Sequence, residues 1–344
     1  MIKLNNQTIF SYNKEPLIIA EISGNHNGSK KKFLSLIKKA CINGADLVKI
    51  QTYEPQDITL NANYGNFKIK EGLWKGKKLW NLYKKACTPF SWHKEAFNVA
   101  KKYKKIIFSS PFSLRGVDLL EGLGCKIYKI ASFEITDHKL IEYIASKKKP
   151  IIISTGMANL VEIKQAIKLI QKYHSKIIIL HCVSSYPTEM KNTNLSRLYY
   201  LKKNFSKNLI GVSDHTNSIY SSVAATAKGV VAIEKHLKLN KRAKTTDSAF
   251  SITPSQLKEL KFVTANIFKA TKNSKNNQEK ISKNLRRSIF AKTNIEKNEK
   301  ITKMNIETLR PKIGICASKY FKILNRKTKK SFKKGEPILK SDLI

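Results

Sequence analysis

Two histidines stand at the ends of two short apolar segments, and this pair carries the most chemical information in the sequence. Residues 209–215 end in Ser-Asp-His, and residues 229–236 end in Glu-Lys-His. Both segments are rich in β-branched residues and lack helical periodicity, which is typical of strands buried on both faces. Parallel α/β proteins build their sites at the carboxyl ends of strands. Because histidine is a common metal ligand, we predict that His215 and His236 share one metal ion.

Other apolar segments also end in side chains that can do chemistry. Lys49 and Lys129 lie within such segments, where a lysine needs a charged partner or a polar cavity. Two ammonium groups beside several hydroxyls suit a small phosphorylated carboxylate. Structural ion pairs with Glu21 and Glu134 are the alternative, but convergence at one end favours a binding site. The polar residues at the segment ends are Glu21, Lys49, Gln51, Ser110, Lys129, Ser132, Glu134, Ser154, Ser184, Tyr186, Ser213 and Glu234.

Positioning these residues requires a repeated strand–helix unit. The apolar segments alternate with amphipathic stretches such as residues 160–169. Eight such units in succession predict an α/β fold of the closed (β/α)8 TIM-barrel type. The segments are residues 17–22, 47–52, 106–110, 128–132, 150–155, 177–182, 209–215 and 229–236.

A long polar excursion interrupts the alternation between residues 53 and 90. It carries the aromatic residues Trp74, Trp80 and Tyr83. Loops of this length in a compact domain are usually lids or binding loops. We therefore expect it to lie over the site.

Composition limits the class of protein. The 344 residues carry 66 Lys+Arg against 24 Asp+Glu, a formal net charge of +42. A nucleic-acid-binding protein is the alternative that this charge suggests. The excess is spread along the chain and is mostly lysine, whereas specific readers use arginine forks in one patch. We interpret the charge as compositional bias that also attracts an anionic substrate, and we expect no nucleic-acid partner.

The cellular location is predicted from what the sequence lacks. The opening residues have no signal-peptide core, and no run is long enough to span a membrane. The five cysteines are scattered singly, which suits reduced thiols rather than a disulfide framework. The expectation is a cytoplasmic protein without a membrane partner.

Two other kinds of active site fit the sequence poorly. Barrel hydrolases of the amidohydrolase kind place a His-x-His pair on the first strand, and here that segment ends in Glu21. A glycine-rich nucleotide loop is also absent from the sequence.

The tail changes character after a polar stretch. Residues 272–278 are Lys-Asn-Ser-Lys-Asn-Asn-Gln, and apolar residues then alternate in short segments at 288–291, 295–302 and 334–339. This spacing predicts a small packed domain rather than a solvated basic tail. The predicted organisation is a catalytic barrel at residues 1–271, a linker at 272–287 and a small domain at 288–344.

A series of collinear motifs resembles the sialic acid synthase family. The motifs are AEISGNHNG, VKIQTY, FSSPF, YKIASFEITD, ISTGMA, SSYPT, GVSDHT, IEKH and DSAFS, followed by RRSIF and RP in the tail. Members of this family condense phosphoenolpyruvate with an N-acetylated sugar to give nonulosonic acids. Within the family, the excursion resembles pseudaminic acid synthases more than N-acetylneuraminic acid synthases. The tail is similar to the family's small antifreeze-like (SAF) domain.

The resemblance implies a role for each matched residue. His215 and His236 match ligands of a divalent ion, manganese by expectation, with magnesium and cobalt as alternatives. Arg310 of the tail matches an arginine that reaches the sugar, and Glu134 matches a mobile carboxylate near the reacting carbons. Ser184 stands where some members have an asparagine contact. The phosphoenolpyruvate contacts are matched by Lys49, Ser110, Lys129, Ser132, Ser154 and Ser213, and the acceptor-sugar positions by Glu21, Tyr186 and Asp247.

The implied reaction is an aldol-like condensation. The enol carbon C3 of phosphoenolpyruvate attacks the aldehyde of the open-chain 2,4-diacetamido-2,4,6-trideoxy-L-altropyranose, and water adds at C2, oriented by the metal or by Glu134. Phosphate leaves by C–O cleavage. Glu134, Glu21 and Lys129 are expected to act in catalysis, with Gln51 among the substrate contacts. The resemblance further implies a homodimer with exchanged tails.

Overall fold

The computed structural model describes residues 1–4, 7–62, 64–272 and 278–344. The chain forms two compact units, Met1–Lys272 and Asn273–Ile344. Among the described residues, no helix has both the length and the apolar character needed to cross a membrane.

The first unit is a closed barrel of eight parallel strands, which confirms the predicted (β/α)8 fold. A short antiparallel hairpin, β1 (Ile2–Leu4) and β2 (Gln7–Phe10), precedes it. The barrel strands follow in chain order around the ring, and the last pairs with the first. They are β3 Leu17–Glu21, β4 Leu47–Thr52, β5 Ile106–Pro111, β6 Tyr128–Ile130, β7 Ile151–Ser154, β8 Ile177–Cys182, β9 Leu209–Asp214 and β10 Ala232–His236.

Helices alternate with the strands and bury one apolar face against them. Several begin at side-chain caps: Asn159 and Glu162 form a capping box before the sixth helix, and Thr253 with Gln256 does so before the ninth. The helices of this unit are α1 Lys30–Ile42, α2 Leu79–Ala86, α3 His93–Lys102, α4 Leu114–Gly122, α5 His138–Ser146, α6 Leu160–Gln171, α7 Arg197–Asn204, α8 Tyr220–Ala227 and α9 Pro254–Ala270.

Strand register brings chemically active residues side by side. Glu21 at the end of β3 is paired in register with Lys49 of β4 and with His236 of β10. Gln51 of β4 is opposite Ser110 of β5, and Ser213 of β9 is opposite Glu234 of β10. The polar residues therefore converge at the carboxyl end of the barrel because the strands are parallel and in register.

The second unit has a hydrophobic core of its own. It contains α10 (Gln278–Lys283), the antiparallel strands β11 (Ser288–Ala291) and β12 (Ile306–Leu309), and α11 (Tyr320–Ile323). Its core includes Ile289, Ile301, Ile338 and Phe332. Residues 295–302 pair through isolated bridges, Ile295 with Phe332 and Lys300 with Lys327, rather than as a strand.

The polar stretch predicted as a linker is only partly described. Residues 273–277 lie outside the described ranges, and the helix α10 follows them.

Candidate active site

A buried network of two lysines and two glutamates forms the floor of the barrel mouth. The Lys49 ammonium lies 2.7 Å from Glu21 Oε2 and 3.5 Å from Glu234 Oε1. The Lys129 ammonium lies 3.9 Å from Glu234 Oε2. All four side chains are at most 4% exposed. The predicted lysines therefore occupy one site, with Glu21 and Glu234 as their counter-ions.

The two lysines are held differently. Burial lowers the pKa of Lys49, but the charges of Glu21 and Glu234 outweigh burial and raise it overall. Burial dominates at Lys129 and lowers its pKa, because the charge of Glu234, 3.9 Å away, opposes burial without outweighing it. Lys129 is therefore a buried cation with incomplete compensation, which is the state expected of a group that binds an anionic ligand.

The carboxylates of the floor also differ. Burial raises the pKa of Glu21 to about 7, against the opposing charge of Lys49. At Glu234, the charges of Lys129 and Lys49 overcome the effect of burial and lower the pKa. Glu234 is therefore the ionised acid of the network.

Short hydroxyl and amide side chains surround this network. Ser110 Oγ accepts a hydrogen bond from Lys49 Nζ at 3.3 Å, and Gln51 Nε2 donates to Glu21 Oε1 at 3.0 Å. Ser213 Oγ donates to Glu234 Oε1 at 3.3 Å, and Ser132 Oγ accepts from the Gly156 amide at 3.0 Å. Three of the five predicted serines, Ser110, Ser132 and Ser213, have these hydrogen bonds, whereas Ser154 and Ser184 differ.

The hydroxyls of Ser154 and Ser184 are buried without a hydrogen-bond partner among the described residues, as is Glu134 Oε2. Buried polar atoms are normally satisfied, so such orphans indicate a polar ligand or water. The space between these hydroxyls is tight. A Cβ at Gly156 would lie 2.1 Å from Ser184 Oγ and 2.9 Å from Ser132 Oγ, so any side chain there would displace these hydroxyls.

The two predicted histidines lie together at the ends of β9 and β10. Their ring centroids are 5.3 Å apart. His215 Nδ1 donates to the Val183 carbonyl at 3.0 Å, so Nε2 is the ligand atom when the ring is neutral. Burial lowers the pKa of His215, but the neighbouring Cys182 raises it overall. His236 Nδ1 lies 3.1 Å from Ser23 Oγ. Burial and the neighbouring positive charges hold the pKa of His236 well below its usual range, which favours the neutral, metal-binding form.

These nitrogens fit a divalent ion with open positions. Within the described ranges, no group of three or more His, Cys, Asp or Glu side chains is arranged to hold a metal. A metal at His215 and His236 would therefore take two protein nitrogens and complete its coordination with substrate or water. Open coordination positions are typical of catalytic rather than structural sites.

Aromatic rings cover the histidines. The Tyr186 ring lies 4.6 Å from that of His215, and the Phe250 ring lies 4.8 Å from that of His236. The Trp74 ring packs against the rings of Tyr186, at 5.6 Å, and Phe250, at 6.4 Å. Its Nε1 donates to the Thr246 carbonyl at 3.2 Å. The excursion thus lies over the site, as its length predicts.

Two further acids border the same space. Burial raises the pKa of Glu134 to about 7, with Lys129 opposing. Burial also raises the pKa of Asp247, whose Oδ2 accepts from the Gly24 amide at 3.2 Å. An acid that titrates near neutrality can exchange a proton during a reaction at that pH.

One cavity of about 390 Å³ joins these groups. Its size is in the range of small-molecule sites. Glu21, Ser110 and Ser184 stand behind its surface, in contact with the network or with Gly156. Arg310 is exposed in the second unit. The predicted residues that line the cavity are Lys49, Gln51, Lys129, Ser132, Glu134, Ser154, Tyr186, Ser213, His215, His236 and Asp247.

Comparison with known proteins agrees with this geometry. The NeuB family model matches residues 36–276, and the SAF domain model matches residues 286–344. The chain belongs to the NeuB family. The predicted resemblance to the sialic acid synthases and the predicted SAF domain are confirmed.

Relatives of this NeuB-family chain match it over nearly its whole length. Pseudaminic acid synthase of Helicobacter pylori is 40% identical over 95% of this chain and 98% of its own. N,N'-diacetyllegionaminic acid synthase of Campylobacter jejuni is 38% identical over 94% and 99%. The solved N-acetylneuraminic acid synthetase of Leptospira borgpetersenii is 30% identical, with a TM-score of 0.72 over 82% of this chain and 95% of that one.

Some residues of the NeuB site were missed or undervalued from sequence. Glu234 was recognised at a strand end but was given no role, although it joins both lysines. Its spacing of two from His236 was the available signal, because alternate strand residues share a face. Phe250, Tyr53 and Phe112 also line the cavity; each lies in one of the motifs quoted above but was given no role there.

Proposed function

We propose that this NeuB-family chain is a pseudaminic acid synthase that condenses phosphoenolpyruvate with the open-chain aldehyde of 2,4-diacetamido-2,4,6-trideoxy-L-altropyranose. The observation that carries the proposal is the single cavity in which two buried lysines face two neighbouring histidines. The lysines suit the anionic donor, and the histidines suit an ion beside a carbonyl group. Three relatives named pseudaminic acid synthase, at 36–40% identity, supply the choice of product.

Lys49 and Lys129 bind the two anionic ends of phosphoenolpyruvate and hold it in line with the acceptor. The bound anion should stabilise the charge of Lys129 more than that of Lys49, because nearby carboxylates do not fully offset the burial of the Lys129 ammonium in the free enzyme. The unpartnered hydroxyl of Ser154, which lines the cavity, donates to the same anion. Fixing both ends of the donor supplies orientation as well as charge.

His215 and His236 would hold a divalent cation, with manganese as the expected ion and magnesium or cobalt as alternatives. When bound, the ion supplies Lewis acidity toward the aldehyde oxygen of the acceptor. Ser23 and the Val183 carbonyl orient the two rings through their Nδ1 atoms. Asp247 and Tyr186 border the acceptor, and Glu21 acts from behind the cavity surface through its hydrogen bond from Gln51.

The bonds change in a balanced order. C3 of phosphoenolpyruvate forms a bond to the aldehyde carbon as the C=O π bond breaks. The aldehyde oxygen takes up a proton, which the water added in the next step replaces, and C2 becomes electron-deficient. Water adds to C2 and loses a proton to Glu134, whose pKa of about 7 suits a base at neutral pH. The C2–O bond to phosphate then breaks, which releases inorganic phosphate and the 2-keto acid.

Phosphate release tests the proposal. The protein, supplied with phosphoenolpyruvate and Mn²⁺, is assayed with the diacetamido trideoxy sugar, with a legionaminic acid precursor and with N-acetylmannosamine. We expect rapid release with the first sugar. Preference for a legionaminic precursor would favour the second candidate, which the 38% identity to a legionaminic acid synthase supports. N-acetylneuraminic acid synthase is the third candidate, and a preference for N-acetylmannosamine would favour it. No release with any acceptor would refute the reaction class.

We also propose that the protein works in the cytoplasm as a homodimer with exchanged tails, in which Arg310 serves the partner's barrel. Mixed refolding tests the exchange. His236→Ala and Arg310→Ala chains, each nearly inactive, are unfolded together and refolded. Half of randomly paired dimers are mixed and each holds one intact site, so about a quarter of wild-type activity should return. A mixture as inactive as its parents would show that each tail serves its own barrel.

A further inference from the structure

One wall of the cavity is apolar and comes from the excursion. Four of its residues lie at positions i, i+3, i+4 and i+7 of α2, which places them on one face of that helix. Two isoleucines from the loop before α2 extend the same wall. The six residues are Leu79, Leu82, Tyr83 and Ala86 of α2, with Ile58 and Ile69.

The wall borders the acceptor end of the cavity. Ala86 packs against Gly24, since a Cβ at that glycine would lie 2.9 Å from Ala86 Cβ. The Gly24 amide donates to Asp247. The Tyr83 ring packs 5.9 Å from Tyr53, and the charge of Glu134 adds to burial in raising the Tyr83 pKa. Asp247 and Glu134 are the acids assigned above to the acceptor and to the reacting carbons.

An apolar helix face normally packs on a core, but this face borders an open cavity. Phosphoenolpyruvate carries a phosphate, a carboxylate and one methylene group, so it has little apolar surface to offer. The apolar surface that covers this wall must therefore come from the second substrate. Acetamido methyls and a deoxygenated terminal carbon are the apolar groups that a sugar can bring.

We propose that the α2 face, with Ile58 and Ile69, is the specificity wall that recognises the methyl groups of the acceptor. The inference rests on the proposed function and adds the residues that determine sugar choice. The wall selects an N-acylated 6-deoxy sugar over its 6-hydroxy counterpart, because the added hydroxyl would lose water without gaining a partner. An apolar pocket discriminates against such a hydroxyl by about ten- to a hundred-fold in kcat/KM.

The test compares two acceptors that differ only at carbon 6. Values of kcat/KM for the 2,4-diacetamido-6-deoxy sugar and for its 6-hydroxy counterpart are measured in the wild type and in Leu79→Ser and Leu82→Ser. We expect the ratio of kcat/KM for the 6-deoxy sugar to kcat/KM for the 6-hydroxy sugar to fall roughly ten-fold in each variant, because kcat/KM for the 6-deoxy sugar decreases. The KM for phosphoenolpyruvate at saturating sugar should stay within about two-fold. Leu60→Ser is the control, since Leu60 is on the same excursion, 66% exposed and outside the cavity lining.

The outcomes separate the two proposals. An unchanged ratio in Leu79→Ser, with phosphate still released, overturns the specificity wall and leaves the proposed function standing. A raised KM for phosphoenolpyruvate with an unchanged ratio also overturns it, since the wall would then serve the donor. No phosphate release by the wild type with either sugar refutes the function and the wall with it. Leu82 is 7% exposed, so if Leu82→Ser fails to fold, the more exposed Leu79 carries the test.

Discussion

Replacing each floor lysine with methionine should separate binding from stability. Methionine keeps most of the apolar stem and removes the charge. A hydrogen bond to a charged group contributes about 1.5–3 kcal/mol, so either variant should raise the KM for phosphoenolpyruvate roughly 10- to 150-fold. The acceptor KM should change little, because neither lysine is assigned to the sugar.

The two substitutions should change the thermal stability of the protein in opposite directions. Lys49 has a raised pKa, so its charged form stabilises the fold at neutral pH, and that contribution is lost as pH rises through the raised pKa. Lys49→Met removes the ion-pair partner of Glu21 and leaves Glu234 with Lys129 at 3.9 Å. Breaking a buried pair costs about 3–5 kcal/mol, which corresponds to roughly 6 °C or more in Tm.

Lys129 behaves differently because its pKa is lowered. Its charged form is disfavoured by burial, so at neutral pH the charge costs stability. Glu234 keeps Lys49 at 3.5 Å when Lys129 is replaced. Lys129→Met should therefore hold or raise Tm while it impairs donor binding.

The assay is thermal unfolding followed by circular dichroism at pH 7, alongside steady-state kinetics. Lys126→Met, at an exposed position three residues from Lys129, is the matched control and should change neither Tm nor KM. If Lys129→Met lowers Tm as far as Lys49→Met does, the charge balance inferred for the floor is wrong. A change confined to the acceptor KM would mean that the donor is oriented differently in the site.

Three more predictions concern the metal, the base and the lid. His236→Ala should lose bound Mn²⁺ by elemental analysis and lose activity together, with the far-ultraviolet spectrum of the wild type retained; full metal content in that variant would remove His236 from the ligand set. The pKa of about 7 at Glu134 places the active, deprotonated form above that pH, so kcat should rise from pH 6 to 8, and this limb should disappear in Glu134→Gln. If kcat of Glu134→Gln still rises from pH 6 to 8, a group other than Glu134 accepts the proton. Trp74→Ala should free the excursion from Tyr186 and Phe250, raise the acceptor KM and speed tryptic cleavage at Lys75, whereas Trp74→Phe should do so much less; equal cleavage in both variants would show that these ring contacts do not hold the excursion.

The barrel was predictable because its strands are buried on both faces. The segment at residues 177–182 is apolar except for His181, and the strand β8 covers those same residues. The strand-end residues followed directly, since parallel strands all present their carboxyl ends on one side. Eleven of the predicted side chains line one cavity for this reason.

Distances across the barrel were not predictable from the sequence. Lys129 on β6 and Glu234 on β10 are four strands apart in the ring, yet their charged atoms lie 3.9 Å from each other. Local pattern gives the face on which a side chain lies but not how far it reaches across an interior. The α2 face was hidden for a similar reason: an apolar helical spacing looks the same whether the face covers a core or a cavity.

A buried ion pair on the opposite side of β9 and β10 explains how the histidines keep their spacing. Asp214 and Lys235 are paired in register on these strands, and their charged atoms are 3.1 Å apart with both side chains at most 1% exposed. Lys235 Nζ also donates to the Thr216 carbonyl at 2.6 Å, just beyond His215, and Ser222 donates to Asp214 at 2.6 Å. Alternate residues of a strand point to opposite faces, so the pair leaves the cavity to His215 and His236. Because the pair joins the two strand ends and the turn after His215, it restrains both imidazoles without entering the site. Because side chains alternate along each strand, one face of each strand end carries the candidate metal ligand, and the opposite face carries the ion pair that holds the strand ends together.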